Sequence, residues 1–291
     1  MSRNYIETIQ QVYPDLSIEN FQSIDIGQNN DVLVVNKTMV FRFPKYKKGI
    51  IRLRRETEIL KYIKSIISVP IPNPIYHSFE EMETGKVFTG YNRIDGVPMW
   101  REHLAGVKSV ELIKGLASQL VSILLEIHSV SEEKASSELK LKVSHPKEEM
   151  SILYEKIQNN LFLYIRKEAQ IEITKSFKTF LDREACSNLE VTLIHGDFGA
   201  SNILWNPDTN RISGIIDFGS SCLGDPAYDL AGILSSYGKD FFDMCINLYP
   251  NGNQICERVK FYKSTFALQE ALHGYENNDN QAFESGIKDY R

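Results

Sequence analysis

The sequence has few cysteines, no excess of basic over acidic residues and no long apolar stretch; each of these absences excludes a class of protein. The four cysteines, Cys186, Cys222, Cys245 and Cys256, show neither the paired C-x-x-C spacing of zinc and redox sites nor the density of a disulfide-rich secreted domain. We therefore expect reduced thiols that serve mainly in packing. The formal net charge of −5 argues against a nucleic-acid or anionic-lipid partner, because phosphate contacts require clustered Lys and Arg.

Apolar runs in the chain fall short of the roughly 20 residues that span a bilayer. The N-terminal residues Met-Ser-Arg-Asn-Tyr-Ile-Glu contain no apolar core of signal-peptide length. These absences predict a cytoplasmic protein without a membrane partner, and we expect it to act as a monomer. With 291 residues, of which 42% are hydrophobic, the chain can bury one large core or two modest ones.

The N-terminal third of the sequence alternates short apolar runs with turn residues. Strands are predicted over residues 21–26, 31–35, 39–43, 75–79 and 86–94. A helix is predicted over about 49–67, where apolar residues recur at helical spacing, and it ends before the proline-rich segment 69–74. This pattern predicts a small α+β lobe built on an antiparallel sheet.

The turn-forming segment Asp95-Gly96-Val97-Pro98 is the predicted boundary between two lobes, 1–94 and 95–291. Helical periodicity dominates after this segment. Apolar residues recur at spacings of three and four at Leu112, Leu116, Leu120, Leu124 and Ile127. Residues 131–190 are polar and helical in pattern, and they contain no motif that indicates a chemistry. The C-terminal lobe is therefore expected to be mostly helical.

Two short segments carry the chemistry. His195 and Asp197 begin an H-x-D-x-x-x-x-N pattern that ends at Asn202, and an apolar strand leads into D-F-G at Asp217. A lone D-F-G is a weak signal. The joint occurrence of both patterns in one short region is far more specific than either alone. The alternative is a structural role, in which Asp197 and Asn202 only cap a loop and the D-F-G occurs by chance.

These residue types suit phosphoryl transfer. Its transition state spreads negative charge over the phosphoryl oxygens, so catalysis needs metal ions held by oxygen ligands and one carboxylate beside the attacking hydroxyl. Asp197 would accept or orient the hydroxyl proton. Asn202 and Asp217 would bind Mg²⁺, which prefers hard oxygen ligands and takes the rest of its shell from water and phosphate.

Two other hypotheses remain open on the residues alone. A catalytically silent nucleotide-binding module is suggested by departures from kinase sequences on the nucleotide side, described below. A metal hydrolase using His195 and Asp197 is the weaker of the two, because the remaining histidines show no ligand spacing.

The catalytic segment resembles that of the aminoglycoside phosphotransferase family, which reads H-G-D-x-x-x-x-N, and the resemblance spans nearly the whole chain. The 2″-phosphotransferase branch looks most similar, at residues 13–15, 40–45 and 214–219. The resemblance implies a bilobal protein-kinase-like fold with a nucleotide-binding N-terminal lobe and a catalytic, acceptor-binding C-terminal lobe. It implies that Asp197 is the catalytic base, that His195 supports the loop and that Asp229 braces it.

The nucleotide side departs from kinases, in which a strand Lys contacts phosphates and pairs with a helix Glu. Here the strand cation is Arg42 or Lys45, and the expected helix partner is Glu56. The phosphate-covering turn, 27–30, has one glycine, Gly27, where kinase loops use several. By the resemblance, the hinge that meets the nucleobase is Tyr91, Asn92, Arg93 and Ile94. Since backbone groups would make those contacts, the donor is left as ATP or GTP.

The resemblance implies that the acceptor is a small molecule with a hydroxyl group. Aminoglycosides are polycations, so their enzymes line the acceptor site with carboxylates. The segment 230–237 lacks the adjacent carboxylates that the 2″ branch typically carries there. Aminoglycoside-like antibiotics, with a role in resistance, macrolides, sugars, choline-like amines and amino alcohols therefore all remain acceptors consistent with the sequence.

Overall fold

The computed structural model describes residues 2–24, 29–143, 145–182 and 189–291, with side chains from residue 4 onward. It consists of two compact units. The first comprises residues 1–99 and 200–221, and the second comprises residues 100–199 and 222–291. The sequence predicts one division of the chain, after residue 94. The structure also assigns residues 200–221 to the first unit. The functional assignment of the two lobes stays a prediction.

The first unit is built on a five-stranded antiparallel sheet with the strand order β1-β2-β3-β5-β4. Its strands are β1 (Phe21–Ile24), β2 (Asn30–Val35), β3 (Met39–Pro44), β4 (Tyr76–Ser78) and β5 (Phe88–Asn92). The α-helices among the described residues of this unit are α1 (Ser2–Val12) and α2 (Lys47–Ile63). The predicted antiparallel sheet and the helix that follows its third strand are confirmed, whereas α1 was not predicted.

The alternation of side chains along β3 separates an apolar face from a charged one. Phe41 and Phe43 are fully buried in a core cluster that includes Ile9 of α1. The ring of Tyr5 stacks on Phe43 with centroids 4.2 Å apart. Arg42, between the two phenylalanines, therefore points to the opposite face. The core under α1 thus fixes the direction in which the one buried cation of this strand points.

A second sheet of the first unit carries the residues around the D-F-G segment. It contains β6 (Val97–Pro98), β8 (Ile203–Asn206) and β9 (Arg211–Ile215), in the order β6-β8-β9. Ile203 pairs with Ile215, and the amide of Ile216 donates to the carbonyl of Asn202 at 2.9 Å. Because β8 and β9 are adjacent antiparallel strands, Asn202 lies opposite Ile216, and Asp217 follows at the same end of the hairpin.

The second unit is mostly helical, as predicted. Its helices are α3 (Arg101–Gly106), α4 (Val110–His128), α5 (Glu132–Glu138), α6 (Pro146–Asn160), α7 (Lys167–Leu181), α8 (Ala227–Tyr237), α9 (Lys239–Leu248), α10 (Gly252–Asn277) and α11 (Asn280–Ile287). One antiparallel pair, β7 (Thr192–Ile194) with β10 (Cys222–Gly224), joins them. The predicted apolar stripe of α4 is buried at Leu116, Leu120, Leu124 and Ile127, but Leu112 is exposed.

Within the described ranges, none of these helices is both long enough and apolar enough to cross a membrane.

Close packing in the first sheet leads to a prediction about glycine. Gly90 of β5 lies opposite Phe41 of β3, and a Cβ at position 90 would overlap the Phe41 ring. Gly90→Ala should therefore lower the free energy of unfolding by about 1–3 kcal/mol through overpacking. Gly115→Ala is the control, because Gly115 is an exposed residue inside α4 where an added Cβ would meet no atom within 4 Å. It should raise stability by about 0.5–1 kcal/mol.

Urea unfolding followed by circular dichroism measures both variants. A Gly90→Ala midpoint equal to that of the parent protein would show that the Phe41 ring moves aside without cost, which would contradict the prediction.

Candidate active site

In the first unit, a buried ion pair connects strand β3 to helix α2. Arg42 is 9% exposed and Glu56 2%, and Arg42 Nη1 donates to Glu56 Oε1 at 2.5 Å. Burial opposes the charged form of Arg42, but the adjacent carboxylates of Glu56 and Asp217 outweigh this and raise its pKa. The guanidinium therefore stays charged. The sequence left Arg42 and Lys45 as alternatives for this pair, and the structure places Arg42 in it.

Lys45 lies elsewhere in the same unit. Its ammonium group is 3.7 Å from the carboxylate of Asp31, which also accepts a hydrogen bond of 2.7 Å from Tyr5 of α1. Asp31 pairs with Phe43 in the sheet, so these contacts belong to the face covered by α1. Lys45 therefore does not share the face of Arg42.

Arg42 also reaches the D-F-G segment. Its Nη2 donates to Asp217 Oδ1 at 3.0 Å. Asp217 adopts a left-handed backbone conformation, with φ 63° and ψ 66°. A residue other than glycine rarely adopts this conformation, and such strain concentrates at functional positions. About half of the Asp217 side chain, 48%, is exposed, so the carboxylate is both held by Arg42 and open to a ligand.

The oxygen donors of this unit fit a hard divalent cation. Asn202 is buried at 6% exposure, and its carbonyl accepts from the amide of Ile216, the residue before Asp217. A Cβ at Gly219 would lie 3.3 Å from Asp217 Oδ1 and 3.4 Å from Glu56 Oε2, so glycine leaves open the space beside these carboxylates. Among the described residues no group of three His, Cys, Asp or Glu side chains could hold a metal. A Mg²⁺ ion held by few protein ligands and by phosphate does not need such a group.

The predicted hinge follows β5. Tyr91 is partly buried, and Asn92 and Arg93 are exposed. The amide of Arg93 donates to the carbonyl of Thr38 at 2.7 Å, which fixes the backbone where the strand ends. Burial raises the pKa of the Tyr91 phenol to about 12, although the nearby Arg42 cation opposes the shift. Ile94 is partly buried and its side chain lies close to Gly214. Gly27, of the predicted phosphate-covering turn, lies outside the described residues.

The second unit contains the segment that carries Asp197. Asp229 of α8 is fully buried, and its two carboxylate oxygens accept hydrogen bonds from the amides of His195, at 2.7 Å, and Gly196, at 2.8 Å. Burial raises the pKa of Asp229, but the hydrogen bond from His128, the nearby imidazoles and the amides outweigh it, so the pKa lies below its usual value. Asp229 is thus an ionised acceptor that binds the backbone immediately before Asp197.

Asp197 is exposed, and its own amide donates to Nδ1 of the fully buried His195 at 3.2 Å. His195 is therefore packed beneath the segment with an acceptor nitrogen turned to its backbone. Gly196 has a φ of +77°, which favours glycine, and the turn it makes precedes the exposed carboxylate.

Sequence reasoning missed two groups of buried polar residues in this unit. His128 donates from Nε2 to Asp229 at 3.1 Å, and its Nδ1 lies 2.9 Å from the hydroxyl of Tyr249. Arg258 forms a two-point ion pair with Asp225, at 2.7 and 3.1 Å. His128 and Tyr249 are 121 positions apart, so no local spacing could reveal their contact.

The chain matches the family model described as "Phosphotransferase enzyme family" over residues 20–262. A curated relative, the viomycin phosphotransferase of Streptomyces vinaceus, is 26% identical over 274 residues, which cover 91% of each chain. The solved complex of APH(2″)-IIIa with GDP and kanamycin is 25% identical with a TM-score of 0.89, covering 98% of this chain and 96% of that one. A macrolide 2′-phosphotransferase of type I, 14% identical with a TM-score of 0.79 and 99% and 96% coverage, shares the fold. The chain belongs to the phosphotransferase enzyme family.

Proposed function

We propose that this O-phosphotransferase transfers the γ-phosphate of ATP or GTP to a hydroxyl of an aminoglycoside-like antibiotic, and thereby causes resistance in the cytoplasm of its host as a monomer. The observation that carries the proposal is the contact chain from Glu56 through Arg42 to Asp217. It joins a strand cation, a helix carboxylate and the D-F-G aspartate, the three groups that position a nucleoside triphosphate in kinases.

On the donor side, Arg42 contacts the nucleotide phosphates and Glu56 holds its guanidinium in place. Arginine offers a planar set of N–H donors that can bind phosphate at two points, which a lysine ammonium does not. The backbone from Tyr91 to Ile94 binds the nucleobase, and Gly27 belongs to the segment that contacts the phosphates. Lys45, paired with Asp31, stabilises the sheet instead.

Asn202 and Asp217 hold Mg²⁺ in this proposal. The ion would supply charge neutralisation for the phosphate oxygens. The chain contributes the remaining steps. Asp197 orients the acceptor hydroxyl and takes its proton as the oxygen attacks the γ-phosphorus. The bond from this phosphorus to the bridging oxygen breaks, and the nucleoside diphosphate leaves. The ionised Asp229 keeps the Asp197 segment in place. Arg42 balances negative charge that develops on the transferred group.

The acceptor assignment is supported by what the relatives are named for. Viomycin phosphotransferase acts, by its name, on viomycin, and a structural neighbour was solved with kanamycin. A less cationic metabolite acceptor is the second candidate. The residues of α8 that lie beside the segment after Asp197 favour this candidate. Gly232 lies against the backbone of Phe198 and Ser236 lies near Gly199, and the stretch 230–237 contains no carboxylate.

A substrate panel tests the proposal. Viomycin, kanamycin, a macrolide, a sugar and an amino alcohol are each incubated with Mg²⁺ and with ATP or GTP, and the phosphorylated product is identified by mass spectrometry. The proposal expects transfer to an aminoglycoside-like antibiotic that disappears in Asp217→Asn. Transfer only to the uncharged or singly charged acceptors would establish the second candidate. Nucleotide binding without transfer to any acceptor would contradict both and favour a silent module.

A further inference from the structure

A buried chain of polar contacts runs behind the Asp197 segment and ends on α4 and on the residue after α9. The Tyr249 hydroxyl contacts His128, His128 contacts Asp229, and Asp229 contacts the amides of His195 and Gly196. We propose that His128 and Tyr249 are positioning residues for Asp197. They act through Asp229 and touch neither substrate nor nucleotide. This inference rests on the proposed role of Asp197 in phosphate transfer.

The first step is the pair of hydrogen bonds that Asp229 accepts from the backbone of His195 and Gly196. Its carboxylate binds two consecutive amides, and the next residue in the chain is Asp197. A carboxylate that accepts from two adjacent amides fixes the direction of that peptide segment. Any rotation of Asp229 about its side-chain bonds would break at least one of these hydrogen bonds. The orientation of Asp229 therefore sets the position from which Asp197 projects.

The second step is the hydrogen bond between His128 and Asp229. The side chain of His128 is 4% exposed and that of Asp229 is 0% exposed, so water does not compete for this contact. Because Asp229 is ionised, Nε2 of His128 carries the proton and donates it at 3.1 Å. His128 supplies the side-chain donor to Asp229, alongside the two backbone donors, and comes from a different helix.

The third step is the hydrogen bond between Tyr249 and His128, which orients the imidazole ring. Burial and the nearby Asp229 and Asp225 carboxylates raise the pKa of Tyr249, so its hydroxyl keeps its proton and donates to Nδ1 of His128. Both ring nitrogens then have a partner, and the imidazole ring is fixed in one tautomer and one orientation. The contacts form a directed series from Tyr249 to the Asp197 segment in which every buried polar group is satisfied.

The composition of α4 indicates that this series is more than packing. Its other buried residues, from Leu116 to Ile127, are all apolar. A buried imidazole costs desolvation that an apolar residue at position 128 would avoid. The hydrogen bond to Asp229 offsets this cost and at the same time ties a core helix to the segment that carries Asp197.

Four variants test the proposal. His128→Leu removes the donor, His128→Gln keeps an amide donor at similar reach, and Tyr249→Phe removes only the hydroxyl. Tyr154→Phe is the matched control, because the hydroxyl of the partly buried Tyr154 donates a hydrogen bond of the same length, 2.9 Å, to Thr174 within the second unit. That contact has no connection to Asp229.

In kinetics with an accepted substrate, His128→Leu should lower kcat by about 10–100-fold, because small misplacements of a reacting group are costly. Tyr249→Phe should lower kcat by about threefold to tenfold, the equivalent of one hydrogen bond. The KM for nucleotide should stay within about twofold of the parent value, because no donor-side contact is altered. His128→Gln should recover part of the loss. A merely structural role predicts instead that kcat follows the folded fraction and that Tyr154→Phe behaves like Tyr249→Phe.

Amide hydrogen exchange of the whole protein without ligands gives a readout independent of turnover. The amides of His195 and Gly196 should exchange about tenfold faster or more in His128→Leu, and measurably faster in Tyr249→Phe, than in Tyr154→Phe. Equal rates in Tyr249→Phe and Tyr154→Phe would overturn the proposal, even where His128→Leu fails to fold. If the parent protein transfers no phosphate, the proposed function fails, and the exchange rates still decide whether His128 and Tyr249 hold the segment.

Discussion

Asp197→Asn is expected to lower kcat for phosphate transfer by about 10²–10⁴-fold, while the KM for nucleotide changes by less than about threefold. Asparagine has the size of aspartate but cannot take a proton from the attacking hydroxyl. The Asp197 side chain is exposed, and the backbone that carries it is held by His195 and Asp229. The substitution should therefore leave the segment in place and remove only the base.

Steady-state kinetics with ATP or GTP and an accepted substrate measure the effect. Asp208→Asn is the matched control: it makes the same charge change at an exposed turn residue after β8, and its kcat should stay within about twofold of the parent value. If Asp197→Asn turns over at a rate within about threefold of Asp208→Asn, Asp197 is not the base, and another group must orient the hydroxyl.

Local patterns were sufficient to predict the five-stranded sheet and the helices α2 and α4. The alternation of apolar residues predicted β2 and β3 almost to the residue, and helical spacing predicted α2 and α4. The helix α1 was missed because it is short and because its apolar residues are meaningful only against Phe41 and Phe43. Leu112 was assigned to the core because periodicity gives the face of a helix and does not show where its neighbours end.

Residues joined by short spacing were also accessible from the sequence. Asn202 and Asp217 were selected by the D-x-x-x-x-N and D-F-G patterns, and the hairpin of β8 and β9 pairs Asn202 with Ile216, the residue before Asp217. Glu56 was selected as the partner of a strand cation, but only the alternation of β3 decides in favour of Arg42. Spacing alone does not distinguish Arg42 from Lys45, because both lie in the same short segment, 40–45.

Long-range polar contacts could not be predicted in this way. His128 ends an apolar helix and resembles a solvated cap until Asp229 and Tyr249 are brought against it. Asp225 and Arg258 are likewise 33 positions apart. In each case a buried charge or imidazole is acceptable only because a distant residue satisfies it. Such pairs carry no periodic signal, so the sequence does not reveal them.

The buried carboxylate of Asp229 has the largest expected effect on stability. Asp229→Asn should lower the free energy of unfolding by about 3 kcal/mol at pH 7. The amides of His195 and Gly196 meet different oxygens of Asp229. In either orientation of an asparagine, its NH₂ group therefore faces one of these two backbone donors. At least one buried N–H is left without an acceptor, and the hydrogen bond from His128 loses its charged partner.

The pH dependence of this loss distinguishes an ionised Asp229 from a neutral one. The pKa of Asp229 is depressed in the folded protein, whereas in the unfolded chain it should be about 3.9. The stability that the carboxylate contributes is therefore fully present above the unfolded pKa and is lost as pH falls through the lower, folded pKa. The difference between the parent protein and Asp229→Asn should stay constant from pH 7 to about pH 5 and shrink below about pH 4.

Urea unfolding at a series of pH values measures this difference, with Asp208→Asn as a control that should stay within about 0.5 kcal/mol of the parent protein at pH 7. A gap between Asp229→Asn and the parent that stays the same down to the most acidic pH at which both fold would mean that ionisation of Asp229 contributes nothing. The two amides before Asp197 would then be held by the shape of the side chain alone, and the role of His128 as a donor to a charged acceptor would lose its basis.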